Sequence, residues 1–335
     1  MDIKIDLPRE EIQKFIKEIT PDKDRLYMFI PCSIGDFLIA GGLSYAVQIR
    51  KNKRETVLIV QERMKNLAVT FENVIDTIYL PLDLVKAVEA LIQGTQSYEW
   101  DNFIYGNIHT VDGEIIWDET LNLVDRYKKN ALNIPLDTPL MMPLTYPLSA
   151  KNISAIKSRY VLDRQRTIIL LPHAKTFAEL DVKFWEELVR RLHEKNYIVY
   201  TNVNANEKII DGTEPLELNF SELNYVVDRV KCFIGLRSGA LDFLAMTAAQ
   251  IFSVHKFPQW DNDLSVMYDG CNNKTFYDAV KYKSAVENYL AGKGSTEIKI
   301  AHKHIRNEDV YFSYEDILNG ILRAVEEIDL CQKSL

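Results

Sequence analysis

No stretch of this sequence approaches the roughly 18 consecutive apolar residues of a membrane-spanning helix. The opening residues, MDIKIDLPREEI, carry charge where a secretory leader needs an apolar run, so a cytoplasmic protein is expected, with at most peripheral contact with a membrane's inner face. Cysteine is scarce and scattered, at Cys32, Cys232, Cys271 and Cys331. With no C-x-x-C pair, neither a zinc ribbon nor a disulfide framework is expected. Cys32 and Cys232 end apolar runs, where a free thiol packs as a small hydrophobe. Positive charge is in deficit, and the formal net charge of −8 argues against a nucleic-acid or anionic-membrane surface. A local basic pocket for one diphosphate is compatible with it. Three catalytic signatures are missing as well. Without G-x-x-x-x-G-K-[ST], without G-x-G-x-x-G after a strand and without G-x-S-x-G, the sequence argues against a P-loop kinase, a standard nicotinamide dehydrogenase and an elbow hydrolase. The His302/His304 pair lacks acidic partners at metal spacing. Asp261-Asn262-Asp263 follows Pro258 in a loop-like stretch and reads as a solvated turn. No metal and no cofactor are expected. The neighbouring Trp260 and Tyr268 either line a sugar pocket or pack.

Hydrophobic residues make up 47% and charged residues 26% of the 335 positions, an ordinary globular balance. That length suits two domains of about 150 residues each. Apolar spacing predicts a helix over 7–19 and a buried strand over 26–31, then a long helix over 37–50. A strand over 56–61, a helix over 64–71, a strand over 76–80, a helix over 84–94 and a short strand over 102–105 follow. Pro135, Pro139, Pro143 and Pro147 interrupt regular structure and mark an interdomain stretch. The rhythm then restarts: strand 167–171, loop 172–180, helix 184–196, strand 197–202 and short strand 216–218. Next come a serine-capped helix over 221–231, strand 232–235, helix 239–249 and strand 251–254. Alternation of this kind builds doubly wound parallel sheets. The expected architecture is α/β, two facing Rossmann-like domains over 1–147 and 148–312. An amphipathic C-terminal helix over 314–330, in a closing segment 313–335, is expected to pack back toward the first domain.

Parallel sheets bind ligands beyond the carboxyl ends of their strands, so the strand-to-helix loops are the places to search. In Ser33-Ile34-Gly35-Asp36, Gly35 would allow a close turn. Asp36 would either interact with the helix dipole or serve as a general base for an acceptor hydroxyl. In the loop 235–242, Arg237 and the backbone N–H groups of Ser238 and Gly239 would seat a pyrophosphate. The bland alternative there is a serine cap beside a surface arginine. Asp242 reads as a capping-box acid paired with the Ser238 backbone. His173 and Lys175, after the strand 167–171, are either phosphate contacts or solvated loop residues. The loop 202–207 is a weaker candidate to flank a nucleoside.

Three segments, IPCSIGDFLIAGGLSYAVQIR, IILLPHAKTFAELDVKFWEELVRRLHEKNYIVYTNV and CFIGLRSGALDFLA, together resemble the heptosyltransferase-like glycosyltransferases, in order and spacing. The third is close to a GLRSG-x-x-D form of divergent relatives linked to surface polysaccharide synthesis. The resemblance implies a GT-B fold and an inverting, metal-independent transfer, with the donor held mainly by the C-terminal half. It maps the family's base onto Asp36 and its phosphate-binding turn onto Ser238 and Gly239. Where that family has Asp-Thr-Gly and then a histidine, this chain has Arg237-Ser238-Gly239 and then Asp242. The family's lysine ahead of K-x-W-P has Lys175 or Lys183 as its nearest substitutes. The donor nucleotide therefore stays open among UDP, GDP and ADP. The acceptor implied is a glycan, a lipid-linked sugar or a protein. Alternatives of the same architecture are a nucleotide-sugar 2-epimerase and a non-catalytic binding or assembly protein.

Overall fold

The computed structural model describes residues 8–31, 33–95, 99–108, 123–174, 180–204, 207–236, 238–256, 274–278, 310–311 and 314–333. It divides into two compact units, Met1–Tyr146 and Pro147–Leu335.

In the first unit, β1 (Arg25–Ile30), β2 (Glu55–Gln61), β4 (Val74–Leu80) and β5 (Phe103–Tyr105) form a parallel sheet in the order β4-β2-β1-β5. The strands read as near-continuous apolar runs because helices cover the sheet. On one face, α1 (Arg9–Ile19) and α4 (Leu82–Thr95) bury Ile12, Ile16, Val88 and Ile92 against Phe29, Ile59 and Tyr105. A two-residue antiparallel pair, β3 (Val69–Thr70) with β6 (Leu144–Thr145), ties the proline-rich stretch to this unit.

Two expected helices change shape here. The one over 37–50 breaks into α2 (Ile34–Gly42) and α3 (Ser44–Arg50). Gly42 gives its carbonyl to the Met141 N–H at 2.9 Å, and a Cβ on Gly42 would stand 2.8 Å from the Met141 carbonyl oxygen. Gly42 therefore allows close approach of a second chain segment where the helix breaks. The helix over 64–71 is instead a 3₁₀ segment, Glu62–Leu67, stopped by Ala68 in the left-handed region at φ 54°.

The second unit holds one parallel sheet of seven strands. They are β7 (Thr167–Leu171), β8 (Ile198–Asn202), β9 (Glu214–Leu216), β10 (Cys232–Leu236), β11 (Ile251–Lys256), β12 (Lys274–Asp278) and β13 (Val310–Tyr311). Their order, β13-β12-β11-β10-β7-β8-β9, is doubly wound, with the reversal between β7 and β10. The apolar stripe of α7 (Val182–Glu194) places Phe184, Trp185, Leu188, Val189 and Leu192 in the core. The serine cap expected before 221–231 is displaced. Asn219 caps α8 (Phe220–Val226), accepting from the Glu222 N–H at 3.0 Å, while Glu222 accepts from the Asn219 N–H at 2.9 Å. An N-x-x-E capping box two residues upstream outcompetes Ser221, which is buried inside the helix.

The last helix, α10 after α8 and α9 (Gly239–Ala245), spans Tyr314–Lys333. It buries Ile317, Leu318, Ile321, Leu322, Ala324 and Val325 in the second unit's core, beside α7 and β12. Its apolar stripe shares that core with the stripe of α7.

Ion pairs lace α10 to α7. Arg191 forks onto Glu315 at 2.6 and 2.8 Å and reaches Glu187 at 2.7 Å, while Arg190 reaches Glu187 at 2.6 Å. Hydrogen bonds from Arg190 and then Arg191 hold the Glu187 carboxyl down from 4.5 to about 2, and Arg191 lowers Glu315. A depressed folded-state value stabilises above the ordinary carboxyl range, and that contribution is lost as pH falls toward about 2. The melting temperature is therefore expected to drop between pH 4.5 and 2, and part of that drop should be absent in a Glu187→Gln/Glu315→Gln variant. These carboxylates are solvent-exposed, so the difference should shrink in high salt. A melting profile against pH at two salt concentrations checks it.

Candidate functional site

In the first unit the sheet order reverses between β1 and β5, and the chain leaving β1 runs into α2. Ser33 is the N-cap of α2, with extended backbone (φ −76°, ψ 174°), and Asp36 is the third helical residue. Together they form a capping box. The Ser33 N–H and hydroxyl donate to Asp36 Oδ2 at 2.9 and 2.7 Å, and the Asp36 N–H reaches the Ser33 hydroxyl oxygen at 3.4 Å. The other carboxylate oxygen, Oδ1, accepts from the Tyr127 hydroxyl at 2.5 Å. Asp36 is 9% exposed. Of its two oxygens, Oδ2 is occupied by two donors and Oδ1 by one, which leaves an acceptor position on Oδ1. The helix cap thus uses one oxygen of the side chain and leaves the other with a single donor among the described residues.

Gly35, expected to permit the turn, lies inside the first turn of α2 without the positive φ that would require glycine. The turn is made by Ser33. Tyr127, on the π-helical turn Tyr127–Ala131 that continues α5 (Leu123–Arg126), went unnoticed in the sequence because it stands 91 positions from its partner. Two more polar groups lie at the carboxyl ends of strands in this sheet. Asn107 is buried beyond β5, where it donates to the Tyr105 hydroxyl at 3.1 Å. Gln61 ends β2 with its side-chain oxygen buried and without a hydrogen-bond partner among the described residues.

In the second unit, the residues picked from the sequence follow β7 and β10, the strands flanking the reversal. His173 is half-buried, with Nε2 2.7 Å from the Lys208 carbonyl, which links the loops after β7 and β8. Ser238 caps α9, its hydroxyl oxygen receiving the Leu241 N–H at 3.5 Å. The capping box expected between Ser238 and Asp242 does not form. The third helical residue is Leu241, so Asp242 is one position too late to reach back. Asp242 is instead buried at 4% exposure, its backbone N–H bonded to the Ser238 carbonyl at 2.9 Å. Gly235 sits where a Cβ would come within 2.5 Å of the Leu171 carbonyl oxygen, so β10 and β7 approach too closely for any side chain there. Lys183 is exposed in the first turn of α7, and Asn202 accepts from the Leu218 N–H at 3.2 Å. Lys175 and Arg237 lie outside the described residues. So do Cys32, Trp260, Asp261–Asp263, Tyr268, His302 and His304.

A shallow groove of about 510 Å³ lies along α7, lined by Glu186, Arg190, His193, Asp211 and Gly212. Gly212 precedes β9, and His193 closes α7, so the groove is at the amino edge of the sheet, away from the ligand-binding edge. Among the described residues no helix is long and apolar enough to cross a membrane. Nor does any group of three or more His, Cys, Asp or Glu among them assemble as a metal site.

Two solved structures share this arrangement across nearly their whole length. Heptosyltransferase II of E. coli, named for ADP-heptose, superposes with a TM-score of 0.58 at 12% identity, covering 92% of this chain and 99% of its own. A family 9 glycosyl transferase from Veillonella parvula does so with a TM-score of 0.58 at 9% identity, covering 90% and 97%. The fold is GT-B. No protein-family model and no curated protein matches the sequence itself. The GT-B fold implied by the three motif segments is therefore the fold found, at identities where fold alone is shared.

Proposed function

We propose that this chain is a glycosyltransferase that moves a sugar from a nucleotide-diphosphate sugar to a hydroxyl of a glycan, lipid-linked or protein acceptor, with inversion and without a metal. The observation that carries the reading is the Asp36 carboxylate. It is buried at the carboxyl end of β1, immobilised through Oδ2, and has acceptor capacity left on Oδ1. A base with that placement takes the acceptor's proton as its oxygen attacks the anomeric carbon, and the diphosphate leaves with the bonding electrons. Negative charge grows on the diphosphate, so fixed donors there lower the barrier most. In this reading Arg237 and Lys175, with the backbone N–H groups of Ser238 and Gly239, receive it. His173 fixes the loop beside them, and Asp242 is buried beneath the turn it shares with Ser238. Ser33 and Gly35 form the acceptor-side loop.

The GT-B fold supports this reading, and the ADP-heptose in one neighbour's name places ADP-sugars among the first donors to try. The test is incubation with ADP-, UDP-, GDP- and CDP-sugars, following release of the nucleotide with water or added glycans as acceptor. Thermal-shift titration with the free nucleotides runs alongside. Release from one nucleotide sugar, with a matching melting shift that Arg237→Ala removes, is the expected result. A folded protein that neither binds nor cleaves any of them would sink the proposal and favour a binding or assembly role.

A further inference from the structure

We propose that Tyr127 is a positioning residue for Asp36, fixing Oδ1 as the atom that receives the acceptor's proton. This rests on the reading of Asp36 as the base.

Three observations converge. The first is the division of labour on the carboxylate. Oδ2 receives both the Ser33 N–H and the Ser33 hydroxyl, so a third donor there would compete with the helix cap. Oδ1 has room for a further proton, its donor among the described residues being the Tyr127 hydroxyl. The second is that Tyr127 is fully buried, between the buried Arg126 and Lys128. The start of the turn is thus buried, while its outer residue Lys129 is exposed. Its neighbours clamp it. The Lys128 ammonium donates to Asp125 Oδ1 at 3.0 Å and to the Leu136 carbonyl at 2.7 Å, and the Ile134 N–H donates to the Lys128 carbonyl at 2.8 Å. The third is the π-turn. The Leu132 N–H bonds back to the Tyr127 carbonyl at 2.9 Å across five residues. Single π-turns cost helix regularity and recur where a side chain must be aimed.

Together these give Asp36 Oδ1 a fixed position set from two sides, by the Ser33 cap and by a phenol that cannot swing away. In the transfer step the acceptor O–H proton passes to Oδ1, the acceptor oxygen bonds to the anomeric carbon, and the anomeric carbon–phosphate oxygen bond breaks onto the diphosphate. Tyr127 keeps its proton throughout. Its hydrogen bond orients the ionised base before the transfer and weakens as Oδ1 takes the proton and loses its charge.

The test uses Tyr127→Phe and Asp36→Asn in the full chain, with nucleotide release measured from the nucleotide sugar that the parent protein cleaves. Tyr127→Phe is expected to lower kcat roughly ten- to hundredfold while leaving the donor KM within about threefold. A purely structural tyrosine would lower the melting temperature and leave the kcat of the folded fraction unmoved. Should the phenylalanine variant not fold, 3-fluorotyrosine at position 127 keeps the ring and changes only the hydroxyl's donor strength. It is expected to move kcat by at least about threefold at constant KM. A kcat that stays at the parental level in a folded variant overturns the inference, and so does a loss confined to KM. If Asp36→Asn is inactive while Tyr127→Phe is not, Asp36 stands as base and only the role of Tyr127 fails. If the parent releases nucleotide and Asp36→Asn does so equally well, or if no nucleotide sugar is cleaved, both readings fail together.

Discussion

Replacing Asp36 by asparagine is expected to lower the rate of sugar transfer by about 10²- to 10⁴-fold, the usual contribution of a positioned general base. The substitution is close to isosteric. The amide oxygen can still take the Ser33 N–H and hydroxyl, so the cap on α2 survives in one orientation. The amide nitrogen then faces the Tyr127 hydroxyl, which loses a charged acceptor and keeps only a weaker arrangement. A destabilisation of about 1–2 kcal/mol follows from losing that charged hydrogen bond, a few degrees of melting temperature in a unit of this size. Activity and stability are thus separable. The variant should melt cooperatively, bind the donor nucleotide as the parent does, and fail to transfer. Parental turnover in the asparagine variant would reduce Asp36 to a helix cap.

Ending the chain after residue 313 is expected to unfold the second unit. The helix removed carries five large aliphatic side chains into that core, at Ile317, Leu318, Ile321, Leu322 and Val325, each buried to within 8% of complete. At about 1.5–3 kcal/mol apiece, their burial amounts to roughly 8–15 kcal/mol as an upper estimate. A domain's whole stability is about 5–15 kcal/mol. Amide hydrogen exchange over residues 167–256 reads the outcome directly, because protection of β7, β8, β10 and β11 should vanish. Retention of cooperative protection there would mean that the core closes without α10. The single substitution Ile321→Ala is a milder version, with an expected cost of about 2–5 kcal/mol.

Much of the architecture could be read from the sequence because buried parallel strands are short apolar runs with few alternatives. Residues 26–30, 56–61, 167–171 and 232–235 are of that kind, and each is a strand. The short strands β12 and β13 at one end of the sheet were not recognised, since a five-residue and a two-residue strand present no periodicity to detect. Helix ends failed where a cap competed with another. Asn219 with Glu222 overrode Ser221, and counting from Gly239 instead of from the cap gave Asp242 a partner it cannot reach. The loops that could hold the chemistry were legible because topology confines ligands to the carboxyl edge. Tyr127 was not, because its relation to Asp36 exists only once α2 and the π-turn after α5 have come together across 91 residues. The packing of α10 was likewise invisible. Its amphipathic pattern says that one face is covered and is silent about which surface covers it.

The dependence of the second unit on α10 also sets an order of events during synthesis. From Leu236 to Val325 a ribosome adding about 5–20 residues per second needs roughly four to eighteen seconds. Throughout that interval β7, β10 and the apolar stripe of α7 are already made while the helix that covers them is not. A nascent chain in this state offers unpaired strand edges and open apolar surface to its neighbours. Chaperone occupancy should therefore rise once residue 236 has cleared the exit tunnel and fall only after Val325 follows.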